Sequence, residues 1–484
     1  MAASFYWYDY ETWGNDPSRD RPCQFAGVRT DVELNEIGAP LVCYARPATD
    51  LLPQPEACLV TGITPEQALA RGLPEAEFAR AIQRELALPG TCSVGYNSHR
   101  FDERVNRWLF YRNLIDPYAH AWQHGNSRWD LIDVLRLAHA LRPEGIHWPE
   151  RESGVASFKL EDLTAANAIA HEGAHDALAD VRATLALARL LKAAQPRLFA
   201  YALKLRDKRF VADQLATGQP LLHSSQRYAA ALGCIAPIVQ VAQHPSQKNQ
   251  ALCFDLRQDP TQVLELSPDA LQQRLFARRN ERPAGIERLP VKGVKINAAP
   301  MLAPMKTLTS AATAERWRID PTQVAEHARR ARHYRAEIAE RLRNAYLAQD
   351  AATKPVTDDP DQMLYSGGFF SPQDRRLMDQ LSALSPTELA EATPRFEDAR
   401  LPTLLFRMRA RSWPETLSAD EREDWDAWRF ERLTDPDAGA ALTIDEYENR
   451  LARLRAECGN DPRALAILDR LAHWGERVMT AEDV

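Results

Sequence analysis

The sequence predicts three domains in series: an α/β domain over residues 1–195, a small, mostly β module with helical insertions over 196–352, and an all-α domain over 356–484. Three observations carry this division. Short β-type runs alternate with amphipathic stretches through the first domain, as in α/β folds. Between 197 and 350 the texture changes to short apolar pieces separated by Pro, Gln and Asn. Beyond the polar stretch 350–361, which carries two prolines and reads as a linker, the remaining segments have helical periodicity.

In the first domain, Phe5-Tyr6-Trp7-Tyr8 forms a strand leading into Asp9, and Gln24–Arg29 and Leu41–Arg46 form further strands. Thr64-Pro65-Glu66-Gln67 is a helix start, with Thr64 as cap, Pro65 at the first helical position and Gln67 closing a capping box. A strand ends near Gly95-Tyr96-Asn97 and a helix begins around Asp102. Another helix runs from Ala177 to Ala194 and stops before Pro196. In the second domain Leu221–His223, Pro237–Val241, Ala251–Leu256 and Val291–Ile296 are β-like. A helical insertion from Thr322 to about Ala348 carries Arg329, Arg330, Arg332 and Arg335, which read as a solvated helix face. In the third, Asp374–Leu381, Glu421–Leu433 and Thr443–Ala456 are helical.

A chain of 484 residues accommodates roughly two to four domains. With 45% hydrophobic and 26% charged residues it can bury a sizeable core. The net charge of −7 gives no sign of nucleic acid, so any phosphate-binding surface must be a local basic patch. The seven cysteines include no Cys-x-x-Cys pair, which argues against a disulfide framework and a zinc knuckle and for a reducing compartment. No apolar run approaches membrane-spanning length and no signal-like region precedes Asp9, so a soluble, cytoplasmic protein without membrane association is expected.

Three acidic pieces stand out. In Asp9-Tyr10-Glu11 the carboxylates sit at i and i+2 of a strand and face one way. A divalent cation would balance their repulsion, and oxygen-only ligands suit Mg²⁺ or Mn²⁺. Two solvated acids on an exposed edge read the same residues equally well. Asp102 follows a Gly-Tyr-Asn turn, at the carboxyl end of a strand, where open α/β sheets place their sites; it also fits an ordinary N-cap. Of His175-Asp176-Ala177-Leu178-Ala179-Asp180, His175 belongs on the loop before a helix and Asp180 on its first turns, so that both converge before the sheet. Asp176 offsets the helix dipole, and His171 reads as a simple surface residue.

In this order the three pieces resemble the histidine-containing branch of the DEDD superfamily of 3′-to-5′ exonucleases. Asp20-Arg21-Pro22, Phe110-Tyr111-Arg112-Asn113, Asp116-Pro117-Tyr118, Trp122-Gln123-His124, Asn126-Ser127-Arg128-Trp129-Asp130 and Ala140-Leu141-Arg142-Pro143-Glu144-Gly145-Ile146 resemble the bacterial exodeoxyribonuclease I family. Ser157-Phe158-Lys159-Leu160-Glu161, Gln195-Pro196-Arg197-Leu198-Phe199, Tyr365-Ser366-Gly367-Gly368-Phe369-Phe370-Ser371 and Leu404-Leu405-Phe406-Arg407 extend the likeness over nearly the whole chain. The resemblance implies a ribonuclease H-like exonuclease domain, an SH3-like β module with helical insertions and a helical C-terminal domain, clamped as a monomer on single-stranded DNA. It implies processive release of 5′-mononucleotides from a free 3′ end, in DNA repair and recombination.

The chemistry then assigns roles. Two Mg²⁺ ions (Mn²⁺ substituting) ~3.5–4 Å apart activate water and stabilise the attacking and leaving oxygens. Asp9, Glu11 and Asp180 are the expected ligands, Asp102 supports the second ion, and His175 takes the proton from water; an ordinary histidine pKa near ~6.5 suits that role. The resemblance further implies that Glu11 and Lys159 contact the terminal nucleotide, Lys159 standing where the family often has Arg and so lacking bidentate geometry. Arg107, Tyr118, Trp122, Arg136, Tyr201, Lys208 and Tyr365 occupy positions that the resemblance associates with the DNA path. There, stacking aromatics in a charged groove allow sliding without sequence preference; core packing remains the other reading of Tyr118, Trp122 and Tyr201. Arg142 and Tyr201 match positions for the acidic-hydrophobic tail of single-stranded DNA-binding protein, although Gln219 stands where a lysine is expected. The rival readings are an RNA exonuclease, a polymerase proofreading subunit and a non-hydrolytic single-strand clamp.

Overall fold

Period-two alternation makes the aromatic run at the N-terminus a strand buried on both faces. Tyr6, Tyr8 and Tyr10 pack to one side with Phe25, Phe78, Ile82 and Leu109. Trp7 goes to the other, where its indole N–H donates to Thr30 Oγ1 at 3.0 Å. In the computed structural model, which describes residues 3–152, 154–171, 176–283, 285–352 and 357–480, this is the central strand β1 (Ser4–Thr12). It pairs antiparallel with β2 (Pro22–Thr30) and parallel with β4 (Thr91–Gly95). With β3 (Leu41–Tyr44) and β5 (Ser127–Asp130) the sheet order is β3-β2-β1-β4-β5.

The helices of this region are α1 (Pro55–Thr61), α2 (Pro65–Arg71), α3 (Glu75–Leu86), α4 (Asp102–Arg112), α5 (Leu131–Leu141), α6 (Leu160–Ala166) and α7 (Ala177–Ala194). The start of α2 is the expected one, with Thr64 as cap and Pro65 in the first turn. Gln67 accepts the Thr64 backbone N–H at 3.1 Å, and the Thr64 side chain faces the N3 backbone, so the capping box is present.

By contact density, Met1–Ser127, His171–Arg182 and Pro355–Val484 form one unit, and Arg128–Ala170 and Ala183–Lys354 form a second. The second unit holds the short pair β6 (Glu150–Glu152) and β7 (Val155–Ala156). It also holds an antiparallel five-stranded sheet, β11-β10-β9-β8-β12, built from β8 (Leu221–Ser224), β9 (Ile235–Gln243), β10 (Gln250–Asp255), β11 (Val291–Lys295) and β12 (Met301–Pro304). The expected single helical insertion is two helices, Pro321–His333 and Arg335–Ala352, broken at Tyr334. Both pack on β9. A straight helix over that span would run roughly 48 Å and overshoot a nine-residue strand of roughly 30 Å, so the break keeps both halves on the sheet.

From residue 357 the described residues are helical wherever they are regular. Ser385/Glu388, Ser418/Glu421 and Thr443/Glu446 form capping boxes that fix three helix starts. Tyr447, Leu468, Leu471 and Trp474 share a core with Trp13, Cys23, Leu51 and Cys58, so these helices and the β1–β2 hairpin are one packed body. No helix among the described residues is long and apolar enough to cross a membrane.

A buried ion network runs through the same body. Arg21, beside the β1–β2 turn, grips Asp50 at 2.8 and 2.5 Å. Arg411 donates to Asp50 at 2.9 Å and to Asp361 at 2.5 Å, and Arg407 joins Asp361 at 3.1 Å. Burial alone would raise the Asp50 carboxyl, but the Arg21 and Arg411 charges overcome it and hold the group well below the usual carboxylate range. Its stabilising contribution is therefore complete above about pH 4 and is lost as pH falls toward the depressed value. Asp50→Ala leaves buried guanidinium groups uncompensated and is expected to cost roughly 3–5 kcal/mol in urea unfolding at pH 7. A loss under about 1 kcal/mol, within the range of an exposed pair, would show that the network is dispensable.

Candidate active site

The C-terminal half of β1 presents Asp9 and Glu11 on the face opposite Tyr8 and Tyr10. Asp9 is half-buried and Glu11 buried. On the tyrosine face the Tyr10 hydroxyl donates to Asn106 Oδ1 at 2.6 Å and Asn106 Nδ2 donates to the Tyr8 hydroxyl at 3.1 Å. These bonds fasten α4 beside β1. The turn before α4 is tight: a Cβ on Gly95 would lie 2.6 Å from Ser98 Cβ, and Asn97 has φ of 64°.

Asp102 is the first residue of α4 rather than its cap, which is Phe101. Its carboxylate accepts the backbone N–H of Tyr10, the residue between Asp9 and Glu11, at 3.3 Å. Asp180 arrives on the first turn of α7. The α7 start is set by Gln24, which pairs with Glu11 across β1–β2 and whose side-chain oxygen accepts the Ala177 N–H at 3.4 Å. Asp176 Oδ1 accepts from Leu178 N and Ala179 N, both at 3.2 Å, the helix-terminus role expected of it. Donor oxygens of Asp9, Glu11 and Asp180 come within 4.8 Å of one another and could share a cation.

The electrostatics are one-sided. Burial, then the charges of Asp102, Glu11 and Asp180, push the Asp9 carboxyl well above its ordinary range. Burial, then Asp180 and Asp102, push Glu11 up to about 9. An oxygen-only set under this repulsion fits a hard divalent cation.

His175 lies outside the described residues. His171, read from sequence as a surface residue, is largely buried, and its Nε2 lies 2.6 Å from Asp180 Oδ1. The reading failed because a nine-residue separation matches no strand or helix period that would flag the pair. Gln24 and Asn106 were also missed, since uncharged polar residues acting across strands and helices leave no local motif.

The other expected positions divide by exposure. In the first unit Trp122 is 65% and Tyr365 56% exposed. Arg107 lies 5.5 Å over the Tyr118 ring and 3.6 Å from Glu103. In the second unit Lys159 and Lys208 are exposed. Arg136 is buried, paired with Asp133 at 2.6 Å and lying 5.6 Å over Phe158. Tyr201 is half-buried, edge-on to Phe210 at 6.2 Å. Arg142 donates to the Thr307 carbonyl at 3.0 Å.

Family models described as Exonuclease, Exonuclease I SH3-like domain and Exonuclease I C-terminal domain match residues 6–188, 206–348 and 358–478. The exodeoxyribonuclease I of Escherichia coli (strain K12) is 41% identical over 483 residues, 99% of each chain. Among solved structures, a moderately thermophilic exonuclease I from Methylocaldum szegediense superposes with a TM-score of 0.93 at 46% identity, covering 99% of this chain and 100% of that one. A zinc-bound E. coli exonuclease I–single-stranded DNA complex gives 0.90 at 40% identity, covering 98% and 99%. An SSB/exonuclease I complex with the inhibitor CFAM gives 0.88 at 40% identity, covering 99% and 100%. Three domain matches in the expected order and near-complete coverage leave one assignment: the chain belongs to the exodeoxyribonuclease I family, DNA-hydrolysing exonucleases of the DEDD group.

Proposed function

We propose that this chain is a monomeric, cytoplasmic 3′-to-5′ exonuclease that acts processively on single-stranded DNA with a free 3′ end, releases 5′-mononucleotides, and serves DNA repair and recombination. The observation that carries the reading is the convergence of Asp9, Glu11 and Asp180, with Asp102 bonded to the strand between the first two. A non-hydrolytic clamp has no use for such an anionic pocket facing phosphate. The zinc-bound and single-stranded-DNA-bound state of the E. coli relative supports the substrate and metal class, and the SSB complex supports a protein partner. We assign residues 1–195, 196–352 and 356–484 to the exonuclease, SH3-like and helical domains.

Asp9, Glu11 and Asp180 hold the metal, and Asp102 supports a second ion. Two Mg²⁺ ions, when bound, supply a water acidified toward neutral pH and charge stabilisation at the scissile phosphate. His175 accepts the proton of the attacking water. His171 holds the Asp180 carboxylate in one orientation, the part that outer hydrogen bonds play for metal ligands. Glu11 and Lys159 bind the terminal nucleotide. Tyr118, Trp122 and Tyr365 offer base-stacking faces and Arg107 and Lys208 charge along the strand. Arg136 belongs to this path through its hold on Phe158, next to Lys159. Arg142 and Tyr201 receive the acidic tail of single-stranded DNA-binding protein.

A time course on 3′- and 5′-labelled single strands tests the reading. With Mg²⁺ the 3′ label leaves first, as mononucleotide; EDTA stops the reaction, and RNA is digested more slowly. Asp9→Ala and Asp180→Ala abolish release while DNA binding persists. Near-normal turnover in either variant, or faster digestion of RNA, contradicts it.

The two histidines separate by pH. His175→Ala should lower turnover and remove one limb of the pH–rate profile. His171→Ala should weaken Mg²⁺ activation by roughly 10–100-fold with the profile's shape intact. Exchange of these two behaviours would reassign the base.

Because Glu11 titrates at about 9 without metal, it is protonated at pH 7 and must lose that proton to bind an ion. The folded-state value lies above the unfolded one, so the stability of the metal-free protein falls as pH rises from about 4.5 toward 9. Calorimetric Mn²⁺ titrations at pH 7 in buffers of different ionisation enthalpy should report at least about one proton released per protein. Zero release would mean that the carboxylates are already ionised.

A further inference from the structure

One polar side chain is buried in the middle of an apolar strand. Between Pro22 and Val28 the other residues of β2 are Pro, Cys, Phe, Ala, Gly and Val, yet Gln24 is 1% exposed. Burying an amide costs free energy unless it is hydrogen-bonded, and valine would suit a buried strand better. The amide therefore serves something that strand packing alone does not ask for.

The register shows what it serves. Glu11 pairs with Gln24 and Gln24 pairs with Tyr44, so the three form one row across β1, β2 and β3 on the face that carries the acids. Gln24 Nε2 donates to the Tyr44 hydroxyl at 2.9 Å, while its Oε1 accepts the Ala177 N–H at 3.4 Å. A backbone N–H can only donate, so the amide oxygen must face α7, and the Tyr44 hydroxyl is the acceptor for the other end. Tyr44 is fixed in turn. Its carbonyl accepts the Leu73 N–H at 2.8 Å, and Arg71, the last residue of α2, lies 4.3 Å over its ring.

Ala177 opens α7, and Asp180 follows three residues later on a neighbouring position of the same helix side. His171 meets the Asp180 carboxylate, whereas Gln24 meets the main chain that carries it. A carboxylate in place of the amide would satisfy the same N–H, as acids commonly do at helix starts. Beside Glu11 it would add to the repulsion that already drives the acidic carboxyls upward. A neutral amide anchors the helix without that charge.

We infer that Gln24 and Tyr44 are positioning residues for metal binding: the chain Tyr44–Gln24–Ala177 sets where the Asp180 carboxylate stands relative to Glu11 without adding charge to the site. This inference rests on the metal-dependent reading above.

Two measurements without turnover test it, on variants checked for folding by circular dichroism. In the metal-free protein, hydrogen exchange over the first turn of α7 should quicken about fivefold in Gln24→Met, which keeps the side chain's length and removes its hydrogen bonds. Calorimetric titration of that variant with Mn²⁺ should give a Kd roughly 10–100-fold above wild type. Tyr44→Phe, the milder change, should raise the Kd about threefold and add nothing once Gln24→Met is present. Thr30→Val is the control. Thr30 is buried on the same strand and accepts the Trp7 indole N–H. It lies roughly 20 Å along β2 from Gln24, so the Kd of Thr30→Val should stay within about twofold of wild type. A wild-type Kd in Gln24→Met or Tyr44→Phe, an equal loss in Thr30→Val, or additive losses in the double variant overturn the positioning role and leave the exonuclease reading intact. A wild-type protein that takes up no Mn²⁺ overturns the metal reading, and this inference with it.

Discussion

Two kinds of buried carboxylate coexist in the first unit, and the difference between them governs the structure. Asp50 and Asp361 lie among Arg21, Arg407 and Arg411, which hold both carboxyls below their ordinary range. Asp9 is half-buried and Glu11 buried, and desolvation followed by the charges of other carboxylates drives both upward. Burying like charges without a counter-charge costs stability. A fold that supplies arginine to one acidic group and withholds it from another keeps the second ready for a cation from solution.

Holding repelling groups together requires support that does not neutralise them, and the supports found are hydrogen-bonding groups. The Tyr10 N–H holds Asp102, Gln24 fixes the start of the helix that brings Asp180, and His171 meets Asp180 directly. The tyrosines on the opposite face of β1 bind Asn106 and so locate α4. The C-terminal helices contribute from further away. Their shared core with Trp13 and Cys23, and the Arg411–Asp50–Arg21 chain, brace the β1–β2 hairpin at the end where the acids emerge. The C-terminal helices thereby belong to the same mechanical unit as the site.

What the sequence made legible follows the range of the forces involved. Asp9 and Glu11 could be read because strand geometry repeats every two residues, and the extent of α7 because Ala and Leu favour helix and Pro196 ends it. The capping box read at Thr64 and Gln67 is local in the same way, and it is present. His171, Gln24 and Asn106 act across separations that match no local period, so no window reveals them. Arg136, placed on the DNA path by resemblance alone, is engaged by Asp133 and the Phe158 face, contacts that no local pattern announces. The break at Tyr334 depends on the dimensions of a sheet that the helix's own residues do not encode.

A single rigid element carries both chemistries of the first unit. Helix α4 begins with Asp102, bonded to the acidic strand, and within two turns reaches Arg107 and Trp108, which meet Tyr118 and Tyr365. A helix changes length little under load, so the distance between the acids and the first aromatic contacts is fixed by residue count rather than by loop conformation. On the proposed reading, the separation between the cleaved bond and the nearest stacked base must not drift from one cycle to the next. Placing both ends on one helix meets that requirement. In that proposal sequence tolerance follows, because every base offers a face to stack on while the strand's phosphates keep a constant spacing.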